Sequence, residues 1–212
     1  KPAFCTRIFF WLITEIIHSA ASITKKSVAN DHTTIAEYAL LLTLFKSGLL
    51  NTLFNNSDFP CGAGANGYTI CPTAPATMTE GDYVVLFNVL KKAVPLSDAA
   101  NTYQYGFVFD ADGDTTNNYK ASTAYPNDFF KDTDRWYTAD YAPGKGWSLK
   151  VTDATGGTTK IVTSNARIII KGNMMVLVAP ASEFKVKQPK FRMTAFRHKG
   201  DYGMKPPYDW DG

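Results

Sequence analysis

Arg167-Ile-Ile-Ile-Lys171-Gly172-Asn173-Met-Met-Val-Leu-Val-Ala179 is the stretch on which the fold turns. Ile168 to Ile170 and Met175 to Val178 are apolar at every position, so a strand made of either is buried on both faces. The Gly172-Asn173 pair between them is a two-residue hairpin signal. Two central strands joined by a tight turn predict an antiparallel sheet. Upstream, Trp147, Leu149 and Val151 alternate with Ser148, Lys150 and Thr152, the period-two pattern of a strand with one wet face. Tyr103, Tyr105, Phe107 and Phe109 likewise share a face.

The same reading predicts strands at Tyr83 to Leu90, Gln104 to Phe109, Arg135 to Tyr141, Trp147 to Thr152, Lys160 to Thr163, Arg167 to Lys171, Met174 to Ala179 and Phe191 to Arg197. Pro143-Gly144-Lys145-Gly146 and Gly156-Gly157 mark turns between them. Many short strands at this spacing predict a mainly β chain. The expected form over residues 81–212 is an antiparallel β-sandwich, jelly-roll or immunoglobulin-like. With 212 residues and 45% hydrophobic content, one sizeable core is the expectation.

Residues 1–56 read differently. Bulky apolar residues lie on most faces of two segments, Ile8 to Ile17 and Ile35 to Phe54, and Thr34 with Glu37 forms a capping-box pattern. The expectation is a two-helix segment that packs on the chain or oligomerises, since so apolar a pair cannot be left in water. The first run, with the basic residues before it and Ser19-Ala20-Ala21-Ser22 after it, also looks like a secretory signal, although Glu15 interrupts it. Neither run predicts a transmembrane span: the first is shorter than the roughly 20 residues needed, and the second contains Glu37 and Lys46. Membrane contact without crossing stays open.

Residues 57–80 are rich in Gly, Pro, Asn and Thr and read as a linker. Cys61 and Cys71 bracket its Gly/Ala/Asn loop and predict a disulfide, which points to an oxidising, extracellular or cell-surface location. Cys5 is then left over, buried or paired with another chain. Gly62-x-Gly64-x-x-Gly67 matches the dinucleotide fingerprint in form only, because no buried strand precedes it and no helix follows. A net charge of +3 from 22 basic and 19 acidic residues is too balanced to call for nucleic acid.

Chemistry concentrates in Asp110-Ala-Asp-Gly-Asp114-Thr-Thr-Asn117-Asn118-Tyr119, which closes an apolar strand. Alternating carboxylates and an amide pair supply hard oxygen ligands, and Ca2+ takes roughly six to eight of them. Asp110, Asp112 and Asp114 are the core of the expected site, Asn117 or Asn118 adds an amide oxygen, and Asp128 or Asp134 folds back onto it. The competing reading is an exposed acidic turn, since Asp, Asn and Gly also build ordinary loops. The loop is not an EF-hand, because its Gly falls between the second and third Asp and no Glu stands at the twelfth position.

Trp136, Tyr137, Tyr125 and Trp147 are candidate rings for a flat ligand, although Trp147 lies on the apolar face of its strand and also reads as core. No catalytic constellation stands out. His18, His32 and His198 are scattered without metal-ligand spacing, and there is no Gly-x-Ser-x-Gly and no phosphate loop.

The order Tyr105-Gly-Phe-Val-Phe-Asp110, Asp112-Gly-Asp114, Asn117-Asn118-Tyr119, Asp134-Arg-Trp136-Tyr137 and Gly146-Trp147-Ser-Leu resembles DOMON-like β-sandwiches, among them the family 9 carbohydrate-binding modules. The similarity covers roughly residues 80 to 205. It implies an extracellular antiparallel sandwich, often with structural calcium, that binds a sugar or, in some relatives, a haem. Trp136 and Trp147 would flank the sugar. The helical N-terminus departs from that family. The combined expectation is a secreted or surface-displayed, calcium-stabilised, non-enzymatic module for carbohydrate recognition or for assembly into an oligomer or with a partner protein through residues 1–56. The alternative is a polysaccharide-active hydrolase or lyase with acids on the sandwich face.

Overall fold

The computed structural model describes residues 22–26, 38–44, 61–64, 67–72, 83–90, 92–124, 128–186 and 189–199. Among them run β1 (Ser22–Lys26), β2 (Tyr38–Leu44), β3 (Gly62–Gly64), β4 (Gly67–Ile70), β5 (Tyr83–Val89), β6 (Asn101–Asp110), β7 (Arg135–Ala142), β8 (Gly146–Asp153), β9 (Lys160–Ile161), β10 (Arg167–Lys171), β11 (Met174–Pro180) and β12 (Lys190–Lys199). They form two antiparallel sheets, ordered β1-β2-β5-β11-β10-β4-β3 and β12-β6-β7-β8-β9. The quoted hairpin is β10 and β11, with Ile168 opposite Leu177 and Ile170 opposite Met175. As their composition predicts, both strands are central and buried on both faces: Ile168, Ile169 and Ile170 are all buried, as are Met175 through Val178.

One core lies between the sheets. Strand alternation sends Ile70, Val84, Leu86, Ile168, Ile170, Met175 and Leu177 inward from the first sheet, against Phe107, Phe109, Tyr137, Ala139, Leu149 and Val151 of the second. Phe109 is the hub of the aromatic packing, meeting Tyr137 and Phe184 edge-on with ring centroids 5.7 and 5.2 Å away. A smaller cluster sits on the other face of the second sheet, where Val108, Trp136 and Ala154 are covered by Tyr119, Phe129 and Phe130. All three covering rings belong to the excursion between β6 and β7.

Two expectations are corrected. Within residues 1–56 the described parts are strands rather than helices, with β2 pairing along its whole length with β5, from Tyr38 opposite Val89 to Leu44 opposite Tyr83. A leucine-rich run is apolar on all sides in either conformation, and strand pairing decides between them. The rest of that segment, with Cys5, lies outside the described residues. Second, part of the stretch read as linker belongs to the sheet: β4 pairs with β10 through Ile70 opposite Ile168, and Ile70 is buried in the core. The Cys61–Cys71 disulfide is present and closes the β3–β4 hairpin at its open end. Gly62, Gly64 and Gly67 thus serve a β-hairpin and open no helix. Gly67 has φ +130°, and a Cβ there would lie 2.1 Å from the Ile170 carbonyl oxygen, so the close approach of β4 to β10 needs glycine.

A candidate cation centre at the base of the long loop

β6 and β7 are neighbours, yet 24 residues of chain separate Asp110 from Arg135. The ends of this loop are brought together by the register of the two strands, in which Phe109 faces Arg135. Asp110, the last residue of β6, and Asp134, just before β7, are therefore held side by side, and the turn after β6 folds Asp112 onto them. One carboxylate oxygen from each of Asp110, Asp112 and Asp134 lies within 4.8 Å of the others. Asp110 and Asp134 are each only 3% exposed.

Backbone donors hold the arrangement. The Asp134 carboxylate accepts the Ala111 N–H at 2.6 Å, Asp110 accepts the Gly113 N–H at 2.9 Å and Asp112 accepts the Asp114 N–H at 2.9 Å. Gly113 supports this turn with φ +77°, and the space for a Cβ is already limited by Val186 at 3.0 Å. The Asp134 N–H donates to the Phe109 carbonyl and its own carbonyl accepts from Ala154, so the loop end is fixed to β6 on one side and to the segment after β8 on the other.

Three carboxylates this close repel one another in a poorly solvated place. Burial raises the pKa of Asp134 above the ordinary carboxylate range, and the neighbouring Asp112 and Asp110 charges add to it. Burial pushes Asp112 upward too, but the Asn117 amide, the Asp114 N–H and the Lys185 ammonium outweigh it and leave that group low. The Lys185 ammonium stands 3.2 Å from Asp112 Oδ2. The cluster thus carries more negative charge than its neighbours balance. It can hold a metal ion, and with oxygen donors alone the ion it suits is a hard one.

The other expected ligands divide. The Asn117 amide nitrogen donates to Asp112 Oδ2 at 3.0 Å, and its carbonyl oxygen is buried without a hydrogen-bond partner. Asn118, 2% exposed, donates to the Asp132 carbonyl while its own Oδ1 is likewise buried and unpartnered. Asp114 does not join the triad: it is exposed and takes the Thr116 hydroxyl at 2.6 Å in a local turn. Asp128 does not join it either, because its carboxylate caps Phe130 N–H and accepts the Tyr119 hydroxyl under the aromatic cover. Lys185 is the participant that sequence reading missed. It is 73 positions from Asp112, and no local pattern signals the contact.

The rings proposed for a ligand are not presented to one. Tyr137 is fully buried in the core and gives its hydroxyl to Glu183 at 2.7 Å. Trp147 packs beside Tyr105 and Tyr141 and donates its indole N–H to the Pro95 carbonyl. Trp136 is roofed by Phe130 and Tyr119, with its N–H on the Thr133 hydroxyl. Their alternation places Tyr137 and Trp147 inward, and the long loop covers the outward Trp136. Tyr125 lies outside the described residues.

Comparison with known proteins finds no matching family model, no matching curated protein and no matching solved structure. Fold and site alone define the class, an antiparallel β-sandwich with a buried carboxylate cluster able to hold a metal ion. Among the described residues no helix is long and apolar enough to cross a membrane.

Proposed function

We propose that this chain is a calcium-stabilised β-sandwich of the secreted or surface-displayed kind, acting as a non-enzymatic binding or assembly module. The observation that carries the reading is the convergence of Asp110, Asp112 and Asp134 from the two ends of one long loop to within 4.8 Å. An ion there joins the start of the excursion to its finish and relieves the repulsion among the three acids. Oxygen donors alone suit calcium better than zinc or copper. The Cys61–Cys71 disulfide fits the oxidising compartment in which calcium is abundant. The likeness to DOMON-like sandwiches belongs to the same proposal, as does a polysaccharide or a second copy of the chain as partner. With Trp136, Tyr137 and Trp147 enclosed, sugar recognition needs another surface.

Thermal unfolding with calcium and with chelator tests the metal. Calcium at about a hundred times its dissociation constant stabilises by about 2.7 kcal/mol, a shift of roughly 5–10 °C in a chain of this size. Asp112→Asn is expected to melt near the chelated wild-type temperature and to ignore chelator. Equal melting temperatures with and without calcium in the wild type would rule the ion out.

A further inference from the structure

Two features of the carboxylate cluster point beyond a plain metal seat. The first is the Lys185 ammonium on Asp112: the lysine side chain is 76% exposed while that of Asp112 is 6% exposed, so a solvent-borne cation is laid on a nearly buried anion. The second is the unpartnered carbonyl oxygen of Asn117, wholly buried although its amide nitrogen contacts the same Asp112 oxygen at 3.0 Å. Lys185 belongs to a short segment that is itself bound to the site, since the N–H groups of Lys185 and Val186 both donate to the Ala111 carbonyl, at 2.8 and 3.3 Å. Phe184, beside them, is anchored in the core against Phe109. The ammonium is thus delivered to Asp112 from a backbone bonded to the site, on a side chain that lies mostly in solvent.

We propose that Lys185 is a built-in counter-cation that exchanges with calcium at this centre, and that Asn117 changes its role with the exchange. This rests on the calcium reading above. Asp112 is held by three donors, the Lys185 ammonium, the Asn117 NH2 and the Asp114 N–H. A metal ion at the triad repels the ammonium, which leaves for solvent at little cost because most of its side chain is already there. The same ion needs oxygen where the NH2 now points. A half-turn of the Asn117 amide, nearly isosteric in its two ends, puts the orphaned carbonyl oxygen there. Two oxygens about 3 Å apart repel in isolation, but they are normal neighbours on one ion with bonds of about 2.4 Å. The ligand set is then Asp110, Asp112, Asp134 and Asn117, and Lys185 sets the affinity by competing for Asp112.

The test is calorimetric titration of calcium into metal-free full-length protein, with Lys185→Met and Asn117→Ala beside the wild type. An exposed ammonium–carboxylate pair is worth a factor of about two to five, so Lys185→Met is expected to bind calcium about threefold more tightly. By linkage it also lowers the melting temperature of the metal-free protein and leaves that of the loaded protein almost unchanged. Asn117→Ala is expected to bind about tenfold more weakly. Equal or weaker binding by Lys185→Met overturns the exchange and leaves the calcium reading standing. Undiminished affinity in Asn117→Ala overturns the assigned role of its carbonyl. No heat of binding in the wild type overturns both the exchange and the calcium reading.

Discussion

Asp98 organises the turn into β6 through its side chain, while its backbone N–H and C=O both bond the Tyr141 hydroxyl. Its Oδ1 accepts the N–H groups of Ala100 and Asn101 at 2.7 and 3.0 Å, and its Oδ2 accepts the Asn101 amide at 2.7 Å and the Tyr103 hydroxyl at 2.6 Å. The Tyr103 hydroxyl and the Asn101 amide, with the Ala100 N–H, hold this carboxyl well below the usual carboxylate range. All of these donors favour the ionised form, so the folded state binds a proton less readily than the unfolded chain, whose Asp titrates near about 3.9. The stabilisation is therefore complete above that value and is lost as pH falls through it toward the lower folded pKa. Asp98→Asn is expected to melt below the wild type by a constant margin from neutral pH to about pH 5, with the margin closing in more acidic buffer. A margin that stays constant down to about pH 3 would show that the charge on Asp98 does not matter.

At the scale of elements, the β3–β4 hairpin shows how a short, glycine-rich segment is made to hold a strand's shape. β3 is Gly-Ala-Gly and β4 only Gly-Tyr-Thr-Ile, too short to bury much area or to show a period. The disulfide across a sequence separation of 10 removes unfolded-state freedom, and the Pro72–Leu149 bridge ties the end of the hairpin to β8 in the opposite sheet. Closing a loop this short stabilises by about 2–3 kcal/mol, so Cys61→Ser/Cys71→Ser is expected to lower the melting temperature by roughly 5–10 °C. A reductant should do the same to the wild type and nothing to the double variant. An unchanged melting curve in reductant would show that sheet pairing alone holds the hairpin. The β6–β7 loop is the complementary case: it is long, but its aromatic side chains build a second small core on Trp136, and the acids close its base.

For the molecule as a whole, the edges of the sheets are where unpaired backbone groups face outward. β3 and β9 are very short edge strands, a device that discourages edge-to-edge pairing. β5 is different, with the sequence Tyr-Val-Val-Leu-Phe-Asn-Val and β2 lying on its outer side. Removing residues 1–56 strips β1 and β2 and turns β5 into an apolar edge. Size-exclusion chromatography with light scattering is expected to show the shortened chain as larger species than the intact one. A shortened chain that elutes as a compact monomer would mean that β2 is not needed to cover that edge. Much of this architecture was legible in the residues themselves. The all-apolar triplet of β10, the apolar β11 and the alternation in β8 are local consequences of which faces a strand buries, and they specify sandwich strands without reference to the rest of the chain. The acids of the loop were legible as oxygen ligands for the same reason, that their chemistry is carried in the side chain. Which acids meet was decided by strand pairing: Asp134 joins Asp110 because β6 and β7 lie in register, while Asp114, two residues past Asp112, turns to Thr116. The placing of Lys185, the roofing of Trp136 and the recruitment of β2 and β4 as strands depend on contacts between residues far apart in the chain. Only the folded chain brings such residues together, so local periodicity carries no trace of them.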